Sequence, residues 1–350
     1  MRHFLRAAVP LAAVALLATS AAAATPRITV AAWQPTRLGT AIWDGNAAIR
    51  PVRFLPGARF AVLSPSGRGV AYARLTGKSL DIFATGIYAG FEAKLAHIAG
   101  AATTALAFSP DSRRIAFASP NGIELSPAVS GRKPRALPLP ARWRGSSYQA
   151  LRFSPDGKLL AFSRTWGNGK NGTLRNELAI VHVDGTAPRS LVRNPDPYSA
   201  QYRPTFSPDG TQIAFAAADG GLALVPADGG RIVRLTVGRP SGSARTDVDP
   251  LFSPDGETIA FTRAPGRGGS DVYLVGSDGT GLRRLTTTPL PPRGQPRTGS
   301  SALAWSPDGT SVLAFRHDRF AAVNAATGES SDLAVVGVQY GIASSVWGDQ

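Results

Sequence analysis

Residues 151–164 read LRFSPDGKLLAFSR, and the pattern returns at 204–217 as PTFSPDGTQIAFAA and at 250–263 as PLFSPDGETIAFTR. In the central turn, proline presets φ, aspartate bonds local backbone and glycine accepts a positive φ. Short apolar runs flank the turn on both sides, which is typical of a β-hairpin. A hairpin cannot bury its faces alone, so its repetition indicates stacked or radially arranged copies.

The copies recur with a regular period. Their anchor serine stands at Ser64, Ser109, Ser154, Ser207, Ser253 and Ser306, at spacings of 45, 45, 53, 46 and 53 residues. A second turn recurs within the repeats, as VHVDGT at 181–186, VPADGG at 225–230 and VGSDGT at 275–280. Two such turns give four strands per repeat of about 40–50 residues, which is the period of a propeller blade.

Four copies keep an aromatic residue followed by Ser-Pro-Asp-Gly, starting at Phe153, Phe206, Phe252 and Trp305, and the copies at 63–67 and 108–112 are degenerate. This motif resembles the WD40-like propeller repeats of TolB-type proteins, and the resemblance covers residues 60–325. It implies an all-β propeller of four-stranded blades. About 35 residues separate the predicted leader from the first anchor, too few for the α/β domain that precedes the propeller in TolB-type proteins. The turn residues are predicted to be structural: Asp156, Gly157, Asp209, Gly210, Asp255, Gly256, Asp308 and Gly309.

The two ends of the chain are predicted to close the ring. Residues 1–24 have the positively charged start, the apolar centre and the small-residue cleavage site of a signal peptide, and cleavage is predicted near Ala24. Residues 25–350 are then predicted to form a single propeller domain. Strand-like runs at 28–33, 40–44 and 49–54 are expected to share a blade with an innermost strand ending near Trp347. This arrangement favours seven blades, with six as the alternative.

Composition limits the functional classes. The formal charge of +15 falls to +13 without Arg2 and Arg6, so an acidic partner is expected. The chain has no cysteine, which excludes disulfides and thiol catalysis. The predicted leader indicates a secreted or periplasmic protein, without a transmembrane segment in the mature chain. Export argues against nucleic-acid binding, and we expect a monomer.

The longer insertions lie at 138–150, 163–177, 193–204, 237–250 and 287–301, and by the blade pattern they share one rim. Arginine with aromatic residues is the composition of a recognition surface. The candidate binding residues of these loops are Arg142, Trp143, Arg144, Tyr148, Trp166, Tyr198, Tyr202, Arg203, Arg293 and Arg297. In the alternative interpretation, the aromatic rings pack the loops onto the blades.

Sequence patterns that indicate catalysis are weaker than those that indicate binding. The sequence has no Gly-x-Ser-x-Gly or His-Glu-x-x-His motif, and His97, His182 and His317 stand at different points of their repeats. Asp247 and Asp249 fit either a cation site or loop caps. We therefore predict no catalytic, metal or cofactor residues.

The predicted function is a non-enzymatic binding or scaffold protein that recognises an acidic protein segment or an anionic envelope polymer at the loop-rich mouth. The alternative is a propeller enzyme of polysaccharide-lyase or lactonase type, with its site at the central channel.

Overall fold

The structure is a computed structural model that describes residues 14–17, 27–34, 39–45, 48–88, 90, 92–100, 105–129, 132–167, 175–194, 204–238, 246–264, 269–288, 299–316 and 319–335. Within these ranges the chain forms seven sheets, six of four strands and one of five. The helical part of the same ranges is a single 3₁₀ turn at Ala141–Trp143. No helix in them has the length and apolar character needed to cross a bilayer. The predicted all-β fold of four-stranded units is confirmed.

The sheets follow the chain order. The N-terminal strands are β1 (Val14–Leu17), β2 (Arg27–Gln34), β3 (Gly39–Gly45) and β4 (Ala48–Pro56). Blade 1 contains β5 (Ala58–Leu63), β6 (Gly69–Thr76), β7 (Ser79–Gly86) and β8 (Glu92–Ile98). Blade 2 contains β9 (Leu106–Phe108), β10 (Arg114–Ser119), β11 (Gly122–Pro127) and β12 (Arg135–Ala136). Blade 3 contains β13 (Ser147–Phe153), β14 (Leu159–Trp166), β15 (Arg175–His182) and β16 (Arg189–Asn194).

The remaining blades repeat the pattern. Blade 4 contains β17 (Thr205–Phe206), β18 (Gln212–Ala216), β19 (Leu222–Pro226) and β20 (Val233–Arg234). Blade 5 contains β21 (Thr246–Phe252), β22 (Thr258–Ala264), β23 (Asp271–Gly276) and β24 (Arg283–Arg284). Blade 6 contains β25 (Ser300–Trp305), β26 (Ser311–Arg316), β27 (Arg319–Asn324) and β28 (Ser330–Asp332).

The sheet that contains β1 to β4, here the terminal sheet, holds strands from both ends of the described chain. β2, β3 and β4 coincide with the three predicted N-terminal runs, and β29 (Ala334–Val335) pairs in parallel with β4. N- and C-terminal strands therefore share a sheet, and seven sheets fit the preferred blade count. β1, which lies inside the predicted leader, pairs antiparallel with β2. The predicted strand near Trp347 lies outside the described residues.

Each anchor turn is held by its own side chains. In blade 3, the Ser154 hydroxyl donates to Asp156 Oδ1 at 2.5 Å, and the same oxygen accepts the Lys158 N–H at 3.0 Å. Gly157 has a φ of +68°, a value that a residue with a Cβ adopts only under strain. The same serine–aspartate contact recurs at Asp209, Asp255 and Asp308. These contacts close the hairpin between the first and second strands.

Successive blades pack through a repeated aromatic residue on the second strand. It stands eight residues after the anchor serine, as Tyr72, Phe117, Phe162, Phe215 and Phe261, and each of these side chains is almost completely buried. Phe162, for example, joins Leu160 of its own strand and Ile123 of blade 2 in one apolar cluster. Burying a side chain of this size contributes about 1.5–3 kcal/mol, which explains why the position is kept apolar.

The strand order makes the two rims of the ring different. The turns between first and second strands, and between third and fourth strands, lie at the hairpin rim. The loops between second and third strands, and the connections between blades, lie at the loop rim. The long insertions therefore begin and end at the loop rim, opposite the Ser-Pro-Asp-Gly turns.

Candidate active site

A cluster of titratable side chains lies on the loop-rim side of blade 1. Asp81 on β7 lies opposite His97 on β8, and Asp81 Oδ1 is 2.6 Å from His97 Nδ1. Lys94 Nζ is 2.9 Å from the same oxygen, and Thr76 Oγ1 donates to Asp81 Oδ2 at 3.2 Å. The sequence pattern did not reveal this cluster, because Asp81 and His97 meet only through the register of two strands.

The Asp81 carboxylate is positioned to orient the His97 ring. Asp81 is only 6 % exposed. Burial alone would raise the pKa of its carboxyl, but the hydrogen bonds from Lys94, His97 and Thr76 outweigh burial and hold that pKa below its usual value. The ionised carboxylate therefore accepts the Nδ1–H of His97, and this tautomer leaves a lone pair on Nε2.

The other edge of the His97 ring faces the surface. The side chain is 52 % exposed, and no described residue bonds its Nε2 atom. An imidazole fixed through Nδ1 with Nε2 open has the arrangement of a general base. Lys94, which bonds the same carboxylate oxygen, is half exposed and places a positive charge at the surface beside the ring.

A second ion pair flanks this cluster in the same blade. Arg74 Nη2 donates to both oxygens of Glu92 at 3.0 Å, and its guanidinium lies 4.6 Å from the centre of the Phe83 ring. The Tyr72 hydroxyl also donates to Glu92, and burial, with this hydrogen bond, raises the pKa of Tyr72. Glu92 is thus fully engaged, which leaves His97 as the accessible base of the blade.

Arg74 belongs to a repeated set that the sequence interpretation missed. An arginine stands ten residues after the anchor serine in four blades, as Arg74, Arg164, Arg263 and Arg316. Arg164 Nε donates to Glu177 at 2.7 Å, and the Arg164 guanidinium lies 3.8 Å from the centre of the Trp166 ring. Arg263 donates to both oxygens of Asp247 at 2.6 Å. The constant offset from the anchor was the signal that could have identified the set.

The described acidic and histidine residues do not assemble a metal site. Both oxygens of Asp247 are bonded by Arg263, and Thr236 also donates to it, so Asp247 is a buried ion-pair partner and neither a cation ligand nor a loop cap. His182 ends β15 at the hairpin rim, away from His97, and His317 lies outside the described residues. Within the described ranges no group of three His, Asp or Glu side chains could hold a metal ion.

The predicted loop residues separate into exposed and packed groups. Arg142 and Arg144 are exposed on the loop between blades 2 and 3. Trp143 is 2 % exposed, packs edge-on against Phe162, and accepts a hydrogen bond from the Tyr148 hydroxyl at its backbone oxygen, at 2.7 Å. A ligand at this loop would therefore meet the two arginines and not an indole between them.

Among the other predicted binding residues, Trp166 is half-buried at the end of β14. The rest fall outside the described residues: Tyr198, Tyr202, Arg203, Arg293 and Arg297.

Comparison with solved structures gives the fold. A prolyl endopeptidase matches with a TM-score of 0.62 at 12 % identity, covering 92 % of this chain and 49 % of the other. The oligogalacturonate lyase of Vibrio parahaemolyticus matches with a TM-score of 0.57 at 12 % identity, covering 93 % and 85 %. The β-propeller domain of the Trilobed protease from Pyrococcus furiosus matches with a TM-score of 0.56 at 13 % identity, covering 92 % and 98 %. The chain thus has a β-propeller fold, and it spans about half the length of the endopeptidase.

No family model matches the chain, and no curated protein does so either. A candidate TolB from Agrobacterium tumefaciens matches with a TM-score of 0.46 at 21 % identity, covering 69 % of this chain and 84 % of the other. That score is too low to assign the TolB-type repeat family.

The predicted non-enzymatic binding function is contradicted by these comparisons. The solved structures that share the fold include the oligogalacturonate lyase, the endopeptidase and a candidate 6-phosphogluconolactonase from Bacteroides uniformis, matched with a TM-score of 0.54 at 18 % identity. The enzyme alternative agrees with them better. At these sequence identities the matches show only that enzymes use this architecture, and any reaction depends on the residues of this chain's own site.

Proposed function

We propose that this protein is a propeller enzyme of polysaccharide-lyase type, which cleaves an acidic sugar chain on the loop-rim side of blade 1. The Asp81–His97 pair is the observation that supports the proposal. A buried, ionised carboxylate fixes Nδ1 of a half-exposed imidazole, and Lys94 lies against the same carboxylate oxygen. The proposed site lies on the outer strands of blade 1, whereas the enzyme alternative drawn from the sequence expected it at the central channel.

In the proposed reaction, His97 Nε2 takes the proton from the sugar carbon that bears the carboxylate. The electron pair of that C–H bond forms a double bond to the neighbouring carbon, and the glycosidic oxygen on that neighbour departs and takes a proton from water. Negative charge grows on the substrate carboxylate during proton removal, and Lys94 stabilises it. Asp81 keeps the imidazole in the reactive tautomer and stabilises the imidazolium that forms.

An acidic substrate is supported by the charge of the molecule. The formal net charge is +15, or +13 without Arg2 and Arg6 of the proposed signal peptide, and Arg142 and Arg144 are exposed at the same rim as His97. A surface of this kind attracts polyanions and raises their rate of encounter. The oligogalacturonate lyase with the same fold is named for an acidic oligosaccharide, and that name is a precedent for the substrate class.

The proposed cellular context follows from the first 24 residues. Their signal-peptide pattern supports export, so the mature enzyme would be residues 25–350, secreted or periplasmic, and monomeric. We also propose that the Ser-Pro-Asp-Gly repeats belong to the WD40-like repeats of TolB-type proteins. Polysaccharides outside the cytoplasm are then the accessible substrates.

The direct experiment is an activity assay on purified residues 25–350. Polygalacturonate, a neutral galactan and a sugar lactone are each incubated with enzyme, and the unsaturated product is followed by its ultraviolet absorbance. We expect turnover of polygalacturonate alone. His97→Gln should lower kcat by about 10²–10⁴-fold, the range of a lost general base. His182→Gln, at the opposite rim, is the matched control and should retain full activity.

Two outcomes would contradict the proposal. One is a His97→Gln variant as active as the parent protein. The other is absence of an unsaturated product from every acidic polysaccharide tried. Lactone hydrolysis that depends on His97 would instead show the same base activating water, which is the lactonase form of the enzyme alternative and would replace the lyase assignment.

A further inference from the structure

Three of the four repeated arginines have a carboxylate partner inside the protein. Arg74 pairs with Glu92, Arg164 with Glu177, and Arg263 with Asp247. In the last two pairs the carboxylate bonds the Nε atom of the arginine, at 2.7 Å and 2.6 Å. In each of these three blades the repeated arginine thus forms an ion pair, although the acidic partner stands at a different position. The positive charge of each of these arginines is therefore neutralised within the protein.

Arg316 is the exception in this set. Its Nη1 donates to the Ser330 hydroxyl at 2.7 Å, and no carboxylate of the described residues pairs with it. Its Nε atom is buried and lacks a hydrogen-bond partner, the one side-chain atom of the described residues in that condition. Buried polar atoms in folded proteins are almost always bonded, so an orphaned charged donor indicates a missing acceptor.

The position of the missing acceptor can be read from blade 1. Arg74 lies opposite Asp81, and Glu92 pairs with Thr85, four residues further along the third strand. In blade 6, Arg316 lies opposite Arg319, and Ser330 pairs with Val323, again four residues further. Both partners are the first residue of the fourth strand. Ser330 therefore stands where blade 1 has its carboxylate.

We propose that Arg316 is a binding site for the carboxylate of an external acidic ligand. Arg263 shows the geometry that suits it, because the two Asp247 oxygens accept from Nε and Nη2 along one edge of the guanidinium. The same edge of Arg316 holds the unbonded Nε, while Nη1 is turned to Ser330. A planar carboxylate on that edge would supply the acceptor that the described residues lack.

The ligand class follows from the same chemistry. A guanidinium edge that donates two parallel hydrogen bonds is matched by a carboxylate, and also by a phosphate. That the carboxylate belongs to an acidic sugar rests on the proposed function, whereas the anion site itself does not. Arg316 lies on β26 of blade 6 and His97 on β8 of blade 1, so the two sites can be tested separately.

The test measures binding in the His97→Gln protein, where turnover cannot interfere. Galacturonate, inorganic phosphate and neutral galactose are titrated by calorimetry. We expect galacturonate to bind at least tenfold more tightly than phosphate, and galactose not to bind. Arg316→Gln should weaken galacturonate binding at least tenfold. Arg319→Gln is the matched control, because Arg319 lies opposite Arg316 on the next strand, is 73 % exposed, and should leave binding unchanged.

A second variant keeps the proposal falsifiable if Arg316→Gln does not fold. Ser330→Glu introduces the carboxylate that blade 1 has at this place, so it should raise the melting temperature and weaken galacturonate binding at least tenfold. A galacturonate affinity that stays at the His97→Gln level in Ser330→Glu, or in a folded Arg316→Gln protein, would overturn the proposal. Equal affinity for phosphate would overturn the preference for a carboxylate. Absence of lyase activity from the parent protein, with Arg316-dependent binding intact, would count against the proposed function alone.

Discussion

Removing the Asp247 carboxylate should destabilise the propeller more than most single substitutions. Asp247 is fully buried and bonds Arg263 through both oxygens at 2.6 Å, while Thr236 of blade 4 donates to it at 2.6 Å. Asp247→Ala leaves a guanidinium that is only 6 % exposed without its counter-ion, and a threonine hydroxyl without its acceptor. Breaking a buried ion pair in this way costs about 3–5 kcal/mol. Arg263 cannot relieve the cost by losing its proton, because arginine stays protonated throughout the accessible pH range.

The measurement is urea unfolding followed by tryptophan fluorescence. Asp332→Ala is the control, since the Asp332–Arg319 pair is largely exposed at 3.3 Å, and its loss should cost at most about 1 kcal/mol. Asp247→Ala with Arg263→Met should recover part of the lost stability, because the double variant no longer buries an unpaired charge. If Asp247→Ala unfolds within about 1 kcal/mol of the parent protein, the buried ion pairs are not structural supports of the blades.

Three further outcomes are expected. Gly157→Val should cost roughly 1–3 kcal/mol, because a β-branched residue resists the φ of +68° at that turn, and an unchanged melting temperature would refute the turn geometry. Hydrogen bonds from the anchor serines, with those from backbone N–H groups, hold the pKa values of three turn carboxyls below their usual value, namely Asp209, Asp255 and Asp308. The stability that these ionised carboxylates contribute should be complete above their unfolded-state pKa of about 4, and it should be lost as the pH falls through their lower folded-state pKa values. Replacing all three with Asn should therefore make the unfolding free energy depend less on pH in acid. Arg142→Ala with Arg144→Ala should leave the melting temperature unchanged and raise the KM for polygalacturonate at low salt, since both side chains are exposed; an unchanged KM would remove this loop from the substrate path.

The fold was predictable because its signal is local and repeated. The Ser154–Asp156–Gly157 turn is stabilised by contacts between residues at most five positions apart, so the four-residue Ser-Pro-Asp-Gly motif is enough to predict it. Together with the second turn of each repeat, it predicted four strands per repeat. The terminal sheet was harder to predict, because the parallel pairing of Ala334 with Ala48 depends on ring closure and has no sequence pattern of its own.

The candidate site was not predictable in the same way. Asp81 and His97 come together because β7 and β8 pair in one register, and a shift of one residue would place the two side chains on opposite faces. Trp143 was interpreted as a contact residue from its composition, yet the 3₁₀ turn directs the ring into the blade interior, where Arg164 lies 5.1 Å from its centre. The repeated arginine could have been found, since it stands at a constant distance from the anchor serine in four blades.

Chemical rescue tests the central claim, which is that His97 acts as the base. His97→Ala removes the imidazole and leaves beside Asp81 a space that a free imidazole molecule can enter from solvent, because the side chain is half exposed. The rate of unsaturated-product formation from polygalacturonate is measured as imidazole is added to this variant. If His97 is the base, the rate is low without imidazole and rises with its concentration towards saturation, while the parent enzyme does not respond. A His97→Ala variant that matches the parent rate, or one that imidazole never restores, would show that His97 is not the base.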